Sequence, residues 1–494
     1  MARRRRNPFP ALVVLAVLPA VALGGCWRFA DGRTPAPVSA GTAGTDGGTN
    51  DTGGAGDGGT SSPSLTTPLL SVRRAPGVLA RGLNISAFQT TLQPFVASLN
   101  ENECVDISID GAPVVAAHET AVLRPASNVK LITASVALEV LGSDFTYTTS
   151  VTAKVGDGGV VAGNLYLVGG GDPLLSNSWW KGANPQFPQI NGTSIEALAD
   201  SVKAAGVTSI TGSVVGDASR YDDQWYVPSW EKAIRFSEGG PLSALVVDDS
   251  REAPDTSSND PVIGAAKVFT QLLQERGITV TGGPSSGKAG DEPVVATAVS
   301  QPLPAILQEM LTTSDNSTAD MMLKEIGLKM KGTGSTDAGL AVVMDTLRSW
   351  NVPLDGVTLL DGSGLSDDNR ATCAALLAVV QHGSVDDAVG QGLPVGGQAG
   401  GTLADAFQEG QPLSGVIRAK TGTLDNTDGV ANKLGAKSLS GYVPLAGGGA
   451  IEFSLLLNGE TITNKVEYRP IWEQFATILA AYPSGPGADT LAPR

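Results

Sequence analysis

Histidine is nearly absent from this chain: His118 and His382 are the only two among 494 residues. Neither has an obvious serine partner, and no Gly-x-Ser-x-Gly elbow accompanies them, so a nucleophile activated by imidazole has little to build on. Cysteine is almost as scarce. Cys26, Cys104 and Cys373, even with the histidines added, are too few and too scattered for a Cys/His zinc site. That argues against metal-dependent hydrolysis, carboxylate-only sites remaining open, and no cofactor is expected. Positive charge is short as well. A formal net charge of -16 argues against a nucleic acid partner, because counterion release needs a basic face. What the chain does have is 41% hydrophobic and only 17% charged residues, enough to bury a large core in more than one domain.

The first residues point to export. Arg3 to Arg6 form a charged n-region, an apolar run from Ala11 to Leu23 follows, and small residues close it. The run ends Leu23-Gly24-Gly25-Cys26, which resembles a bacterial lipobox, in which Cys26 would carry lipid and become the mature N-terminus. An ordinary signal peptide or an uncleaved anchor is the competing reading. Either route places the protein outside the cytoplasm, and the lipoprotein reading puts it at the outer face of the cytoplasmic membrane or in the cell wall. In such an oxidising compartment Cys104 and Cys373 are a candidate disulfide, with free buried thiols as the alternative.

Residues 1–26 are therefore expected to be a signal or lipoprotein segment. Residues 27–78 are mostly Gly, Thr, Ser, Asp and Pro and read as a disordered tether, as does a short tail over 483–494. Cys104–Ile109 and Ala112–Ala117 flank Asp110-Gly111, a hairpin signal. A helix from about Ala126 to Leu141 has hardly any polar face and must be buried on most sides. From about 143 to 300 the texture changes to short alternating segments separated by Gly, Pro, Asp and Asn, which predicts an inserted β-rich region. Beyond it the pattern predicts helices over Ser317–Lys329 and Asp337–Trp350, strands near Gly415–Thr423, Lys437–Val443 and Ile451–Asn458, and a closing helix over Asn464–Ala481. The hairpin and the late strands together make an antiparallel sheet covered by helices, so residues 79–142 and 301–482 form one discontinuous domain.

With histidine set aside, a lysine base is the next arrangement to test. Ser-x-x-Lys occurs four times, at Ser127-Lys130, Ser178-Lys181, Ser229-Lys232 and Ser285-Lys288. Only Ser127 opens a long buried helix, behind Arg124-Pro125-Ala126, where proline suits a first turn. There the three-residue spacing puts Lys130 one turn away on the same face, and an apolar setting lowers a lysine pKa toward neutrality. Taken alone, Ser127 reads equally as a helix cap and Lys130 as a snorkelling lysine. Two more patterns follow downstream: Ser314-Asp315-Asn316, otherwise a capping cluster, and Lys420-Thr421-Gly422 with Thr423 behind it, otherwise a solvated edge.

In that order, Ser-x-x-Lys, Ser-x-Asn and Lys-Thr-Gly resemble the penicillin-recognising serine enzymes. Gly169-Gly170-Gly171-Asp172-Pro173, Asp361-Gly362-Ser363-Gly364-Leu365-Ser366 and Ala419 to Leu424 narrow the resemblance to the low-molecular-mass D-alanyl-D-alanine carboxypeptidases and endopeptidases whose main domain is interrupted by large insertions. The roughly 180 residues between Lys130 and Ser314 fit that interruption. The resemblance covers about residues 80 to 482. It implies an α+β fold of the penicillin-binding-protein and serine β-lactamase kind. It also implies a serine peptidase acting on peptidoglycan stem peptides that end in D-Ala-D-Ala, with β-lactams as inhibitors. Ser127 would be the nucleophile, Lys130 its base and Ser314 a proton relay. Asn316 would hold the substrate amide, Lys420 would supply positive potential, Thr421 would help bind the terminal carboxylate, and the backbone N–H groups of Ser127 and Thr423 would form the oxyanion hole.

Two departures stand out. After Leu365-Ser366 the family often places an arginine, where this chain has Asp367-Asp368, and the segment from Asp425 to Lys437 separates two strands widely, as a lid or a harmless insertion. Gly282 to Lys288 nearly spells a P-loop, but Ala289 stands where magnesium needs a hydroxyl. Asp222-Asp223 and Asp248-Asp249 read as solvated turns rather than paired acids, since neighbours on a strand point to opposite faces. The rival readings are a β-lactamase or esterase of the same superfamily and a noncatalytic wall-binding scaffold that keeps the fold.

Overall fold

The computed structural model describes residues 76–426 and 434–491. The export segment, Cys26, nearly all of the tether and seven residues of the long segment before Lys437 lie outside the described residues. Among the described residues no helix is long and apolar enough to cross a membrane.

The hairpin forms where Asp110-Gly111 asks for it. Strands β1 (Glu103–Ile109) and β2 (Ala112–Ala117) pair antiparallel, and Asp110 and Gly111 both take positive φ, 47° and 74°. Such a turn matches the right-handed twist of the two strands. Helix α1 (Pro76–Val96) precedes it, α2 (Val129–Leu141) follows, and the late strands β8 (Arg418–Leu424), β9 (Gly435–Pro444) and β10 (Ala450–Gly459) complete a sheet of order β8-β9-β10-β1-β2. Every pairing in it is antiparallel.

Alternation then decides which helices cover which face. Val105, Ile107 and Ile109 of β1 and Phe453, Leu455 and Leu457 of β10 pack against Phe88, Leu92 and Phe95 of α1 and Trp472 and Phe475 of the closing helix α9 (Lys465–Ala480). Cys104 and Leu456, on the opposite face, join α2, α5 (Leu303–Thr313), α6 (Asn316–Lys331), α7 (Thr336–Ser349) and α8 (Cys373–His382). Each fully buried large side chain contributes about 1.5–3 kcal/mol, so both layers hold the sheet. A disulfide between Cys104 and Cys373, Cα atoms 6.1 Å apart, ties β1 to α8.

The inserted segment enters and leaves side by side, Ser300 N–H bonding to Tyr147 O at 2.9 Å. It holds β3 (Thr148–Thr152), β4 (Leu165–Val168), β5 (Val214–Asp217), β6 (Ser285–Ser286) and β7 (Val294–Val299) in the order β6-β5-β4-β3-β7. Alongside these strands, two helices supply much of the core of the inserted region. In α3 (Ile195–Ala204) and α4 (Pro261–Glu275), Ile195, Leu198, Phe269 and Leu273 pack onto Leu165 and Leu167. Their caps are Ser194, accepting from Ala197 N–H, and Asp260, accepting from Val262 and Ile263 N–H with Pro261 in the first turn.

Glycines 169 to 171 pack this region tightly. A Cβ at Gly170 would stand 2.1 Å from Thr148 O and one at Gly171 2.3 Å from Tyr221 Oη. The C-terminal tail also differs from expectation over 483–491. Asn84 of α1 accepts from Gly485 N–H at 2.5 Å and donates to Pro486 O at 3.2 Å, and Ala488–Leu491 form a helical turn.

Candidate active site

Ser127 sits in a single tight turn, Ala126–Asn128, that leads into α2. The turn is held from several sides. Ala126 has a φ of 49°, Ser438 Oγ donates to Pro125 O at 2.8 Å, and Asn128 Nδ2 donates to Ser440 Oγ at 2.7 Å. Two glycines let backbone approach it. A Cβ at Gly364 (φ 83°) would lie 1.9 Å from Ala126 O, and one at Gly422 would lie 2.1 Å from Ser438 Oγ and 3.0 Å from Ala126 Cβ. The glycine of Lys-Thr-Gly is thus what lets β8 run close past the serine.

Lys130, one turn into α2, is fully buried, with Nζ 3.0 Å from Ser127 Oγ, 2.6 Å from Asn316 Oδ1 and 2.8 Å from Ser363 O. Burial lowers its pKa to about 8, while Asp320, Asp361, Asp315 and Glu238 hold it from falling further. Three acceptors match the three protons of an ammonium. Loss of the proton facing Ser127 leaves two N–H bonds intact and a lone pair aimed at the hydroxyl, the geometry of a base.

Ser314 lies in the turn between α5 and α6 with φ 67° and ψ 33°, a left-handed conformation uncommon for a non-glycine residue. The capping duty that the cluster also allowed falls to Asp315, whose carboxylate accepts from Thr318 N–H. Ser314 is free for Lys420, whose buried Nζ donates to Ser314 Oγ and to Thr421 O, both at 2.8 Å. Burial pushes Lys420 well below the ordinary lysine value, and the like charges of Lys130 and Lys437 add to this. Asn316, besides accepting from Lys130, donates through Nδ2 to Glu238 O at 2.6 Å. Ser127, Ser314, Asn316, Thr421 and Thr423 line one cleft of about 1330 Å³, with Lys130 and Lys420 buried behind them.

The Asp361–Ser366 turn, quoted above only as a motif, turns out to be built around Asp361. Its carboxylate accepts from Gly364 N–H (2.7 Å), Ser366 N–H (2.6 Å), Asn369 Nδ2 (2.8 Å) and Trp230 Nε1 (2.8 Å). Asp320, four residues beyond Asn316 on α6, accepts from Gly362 N–H at 2.6 Å, and its pKa is raised to about 8 by burial and by Asp361. The turn is what presents the Ser363 carbonyl to Lys130. Where the family often has arginine, Asp367 pairs with Arg124, three residues before Ser127.

The remaining Ser-x-x-Lys pairs lie elsewhere. Ser178 binds Glu196, Lys181 and Lys288 are exposed, and Ser285 lies on the short β6. Asp222 pairs with the buried Lys324 and Asp248 bonds Asn177, both structural tasks. Sequence reasoning missed three contributors. Ser363 acts through its carbonyl, Thr402 Oγ1 accepts from Thr421 Oγ1 at 2.9 Å, and Lys437 Nζ donates to Thr423 Oγ1 at 2.7 Å. Of these only the last had a readable signal, as the strand partner of Thr423. Among the described residues no group of three or more His, Cys, Asp or Glu is arranged to hold a metal ion.

A sequence profile described as the D-Ala-D-Ala carboxypeptidase 3 (S13) family matches residues 104–261 and 254–482. A D-alanyl-D-alanine carboxypeptidase of Actinomadura sp. (strain R39) is 29% identical over 507 aligned positions, spanning 83% of this chain and 89% of its own. Carboxypeptidase DacB of Mycolicibacterium smegmatis is 31% identical over 362, spanning 69% and 73%. Among solved structures, penicillin binding protein 4 of Haemophilus influenzae superposes with a TM-score of 0.63 at 20% identity, covering 81% of this chain and 100% of that one, which shows a shared fold.

Proposed function

Since the chain belongs to the D-Ala-D-Ala carboxypeptidase 3 (S13) family, we propose that its cleft performs serine acyl transfer on stem peptides ending in D-Ala-D-Ala, with Ser127 as nucleophile and Lys130 as base. The observation that carries this assignment of roles is the convergence of three separate motifs: Lys130 Nζ within 3.0 Å of Ser127 Oγ and 2.6 Å of Asn316 Oδ1, and Lys420 Nζ within 2.8 Å of Ser314 Oγ.

In the first half-reaction neutral Lys130 takes the Ser127 proton as Oγ adds to the penultimate D-alanine carbonyl. The oxyanion is held by the backbone N–H groups of Ser127 and Thr423, each worth about 3 kcal/mol in comparable sites. Ser314 accepts from Lys420, so its own proton is free to pass to the leaving amine, and the proton that Lys130 took from Ser127 replaces it, which returns Lys130 to the neutral form. D-Alanine departs, water attacks the ester with Lys130 again as base, and the shortened peptide is released. When the leaving amine belongs to a second stem peptide, the same steps cut a cross-link. A β-lactam amide acylates Ser127 by the same addition, but its leaving amine stays tethered. Asn316 would orient the substrate amide and Thr421 the terminal carboxylate.

The membrane is the second half of the proposal. Lipid on Cys26, at the end of an apolar run, would tether the enzyme outside the cytoplasm, where its substrate lies, and the oxidising compartment suits the Cys104–Cys373 bridge. Both parts are open to direct measurement. With a synthetic peptide ending in D-Ala-D-Ala, the protein should release one D-alanine per peptide and Ser127→Ala none; a folded protein that releases none contradicts the assignment. Cys26→Ser should move the protein out of the membrane fraction, and retention there contradicts the lipid anchor.

A further inference from the structure

Thr423 is the exposed threonine of β8, and across the ladder it is paired with Lys437 of β9. Lys437 Nζ donates to Thr423 Oγ1 at 2.7 Å and lies 4.2 Å from the ring centre of Tyr468 and 5.3 Å from that of Trp472, both on α9. Asp405 on the same wall is already shared by Lys465 and Arg469, each at 2.6 Å. A positive charge therefore stands against two aromatic faces at one end of the cleft that holds Ser127. No step of the acyl transfer described above uses it.

The hydrogen bond has a direction. An ammonium only donates, so the Thr423 oxygen accepts and its own proton must go elsewhere. Thr421 and Thr423 share one face of β8, two residues apart. A hydroxyl held as a donor and backed by a cation complements an anion, and the anion nearest a scissile amide is the carboxylate of the residue that leaves. We propose that Lys437 is a specificity-determining positioning residue: it fixes the Thr423 hydroxyl as a donor and supplies the charge by which the cleft selects a leaving residue with a free carboxylate over one that is amidated or lacks it. The inference rests on the acyl-transfer reading.

The charge is also pH-sensitive. Burial lowers the Lys437 pKa to about 8; Arg469 and Lys465 push the same way, while Asp405 and Asp425 oppose them. Lys420 stands close enough that the two lysines repel. Selection should fade as pH rises through about 8, where the ammonium is lost.

Two thioesters with one acyl-D-alanyl group test this, one on mercaptoacetate, whose leaving thiol carries a carboxylate, and one on neutral mercaptoethanol. The readout is the ratio of kcat/KM between them. Lys437→Met should lower that ratio about tenfold to a hundredfold, as expected for loss of a charge-assisted hydrogen bond. Lys437→Arg should restore it and hold it above pH 8, where the parent protein loses it. A ratio in Lys437→Met within twofold of the parent, both thioesters being hydrolysed, overturns the role of Lys437 and leaves the acyl transfer standing. Hydrolysis of neither thioester by the parent overturns the acyl transfer and the inference with it.

Discussion

In the proposed acyl transfer Lys130 is the base, and its surroundings set its working pH. With the pKa lowered to about 8, the neutral fraction rises about tenfold per pH unit below that value, so kcat/KM should climb with pH and level off near 8. A stopped-flow pH profile of acylation checks this; a flat profile between pH 6 and 9 contradicts it. Lys130→Arg keeps the charge but cannot give up a proton, and should slow acylation by about 10²–10⁴-fold. Gly364 tests the frame around the serine. Alanine there needs φ 83° and a Cβ 1.9 Å from Ala126 O, so Gly364→Ala should cost about 1–3 kcal/mol of stability and slow acylation, as thermal melts and penicillin labelling would show.

At this scale the legible part of the site was its side chains. Ser127, Lys130, Ser314, Asn316 and Lys420 stand in short patterns that a reader can compare. Ser363 acts through a carbonyl, which every residue has, so nothing in its letter marks it. Thr402 meets Thr421 only because the loop before β8 folds back. Lys437 stands in no motif, at the boundary between the long segment and a strand, and its register opposite Thr423 is what brings its charge to the cleft.

Elements carry the next level of argument. The Asp110-Gly111 turn and the alternation in β1 and β10 made the sheet readable, since one face had to meet α1 and α9 and the other α2 and α8. Helices α3 and α4 were missed although Asp260-Pro261 is a helix start signal, because their flanks are crowded with glycine and short strands. Helix α1 is carried by Phe88, Leu92 and Phe95 among small and polar residues, too thin a stripe to stand out beside the tether. The bridge from β1 to α8 closes 269 residues of chain. Cys104→Ser with Cys373→Ser should lose about 2–5 kcal/mol in urea unfolding, and a loss under 1 kcal/mol would mean that packing alone holds α8 to the sheet.

The whole molecule depends on how the insertion meets α6. Arg220 and Tyr221 bind Glu325, Asp222 and two carbonyls hold the buried Lys324, and Trp230 reaches Asp361, whose turn presents Ser363 to Lys130. The change of texture at about 143 and 300 is visible in the sequence, but this dependence is not, since it joins residues about 100 apart. Excising residues 143–300 and joining the neighbouring ends should strip partners from Lys324, Glu325 and Asp361 and abolish acylation; an excised protein that acylates at the parent rate would make the insertion a separate module.

Acyl transfer through Ser127 is the central claim, and labelled penicillin tests it most directly. The protein, incubated with the drug and analysed by intact mass and peptide mapping, should carry one adduct on the peptide containing Ser127, absent from Ser127→Ala. No adduct and no β-lactam turnover, or an adduct on another serine, would contradict the account.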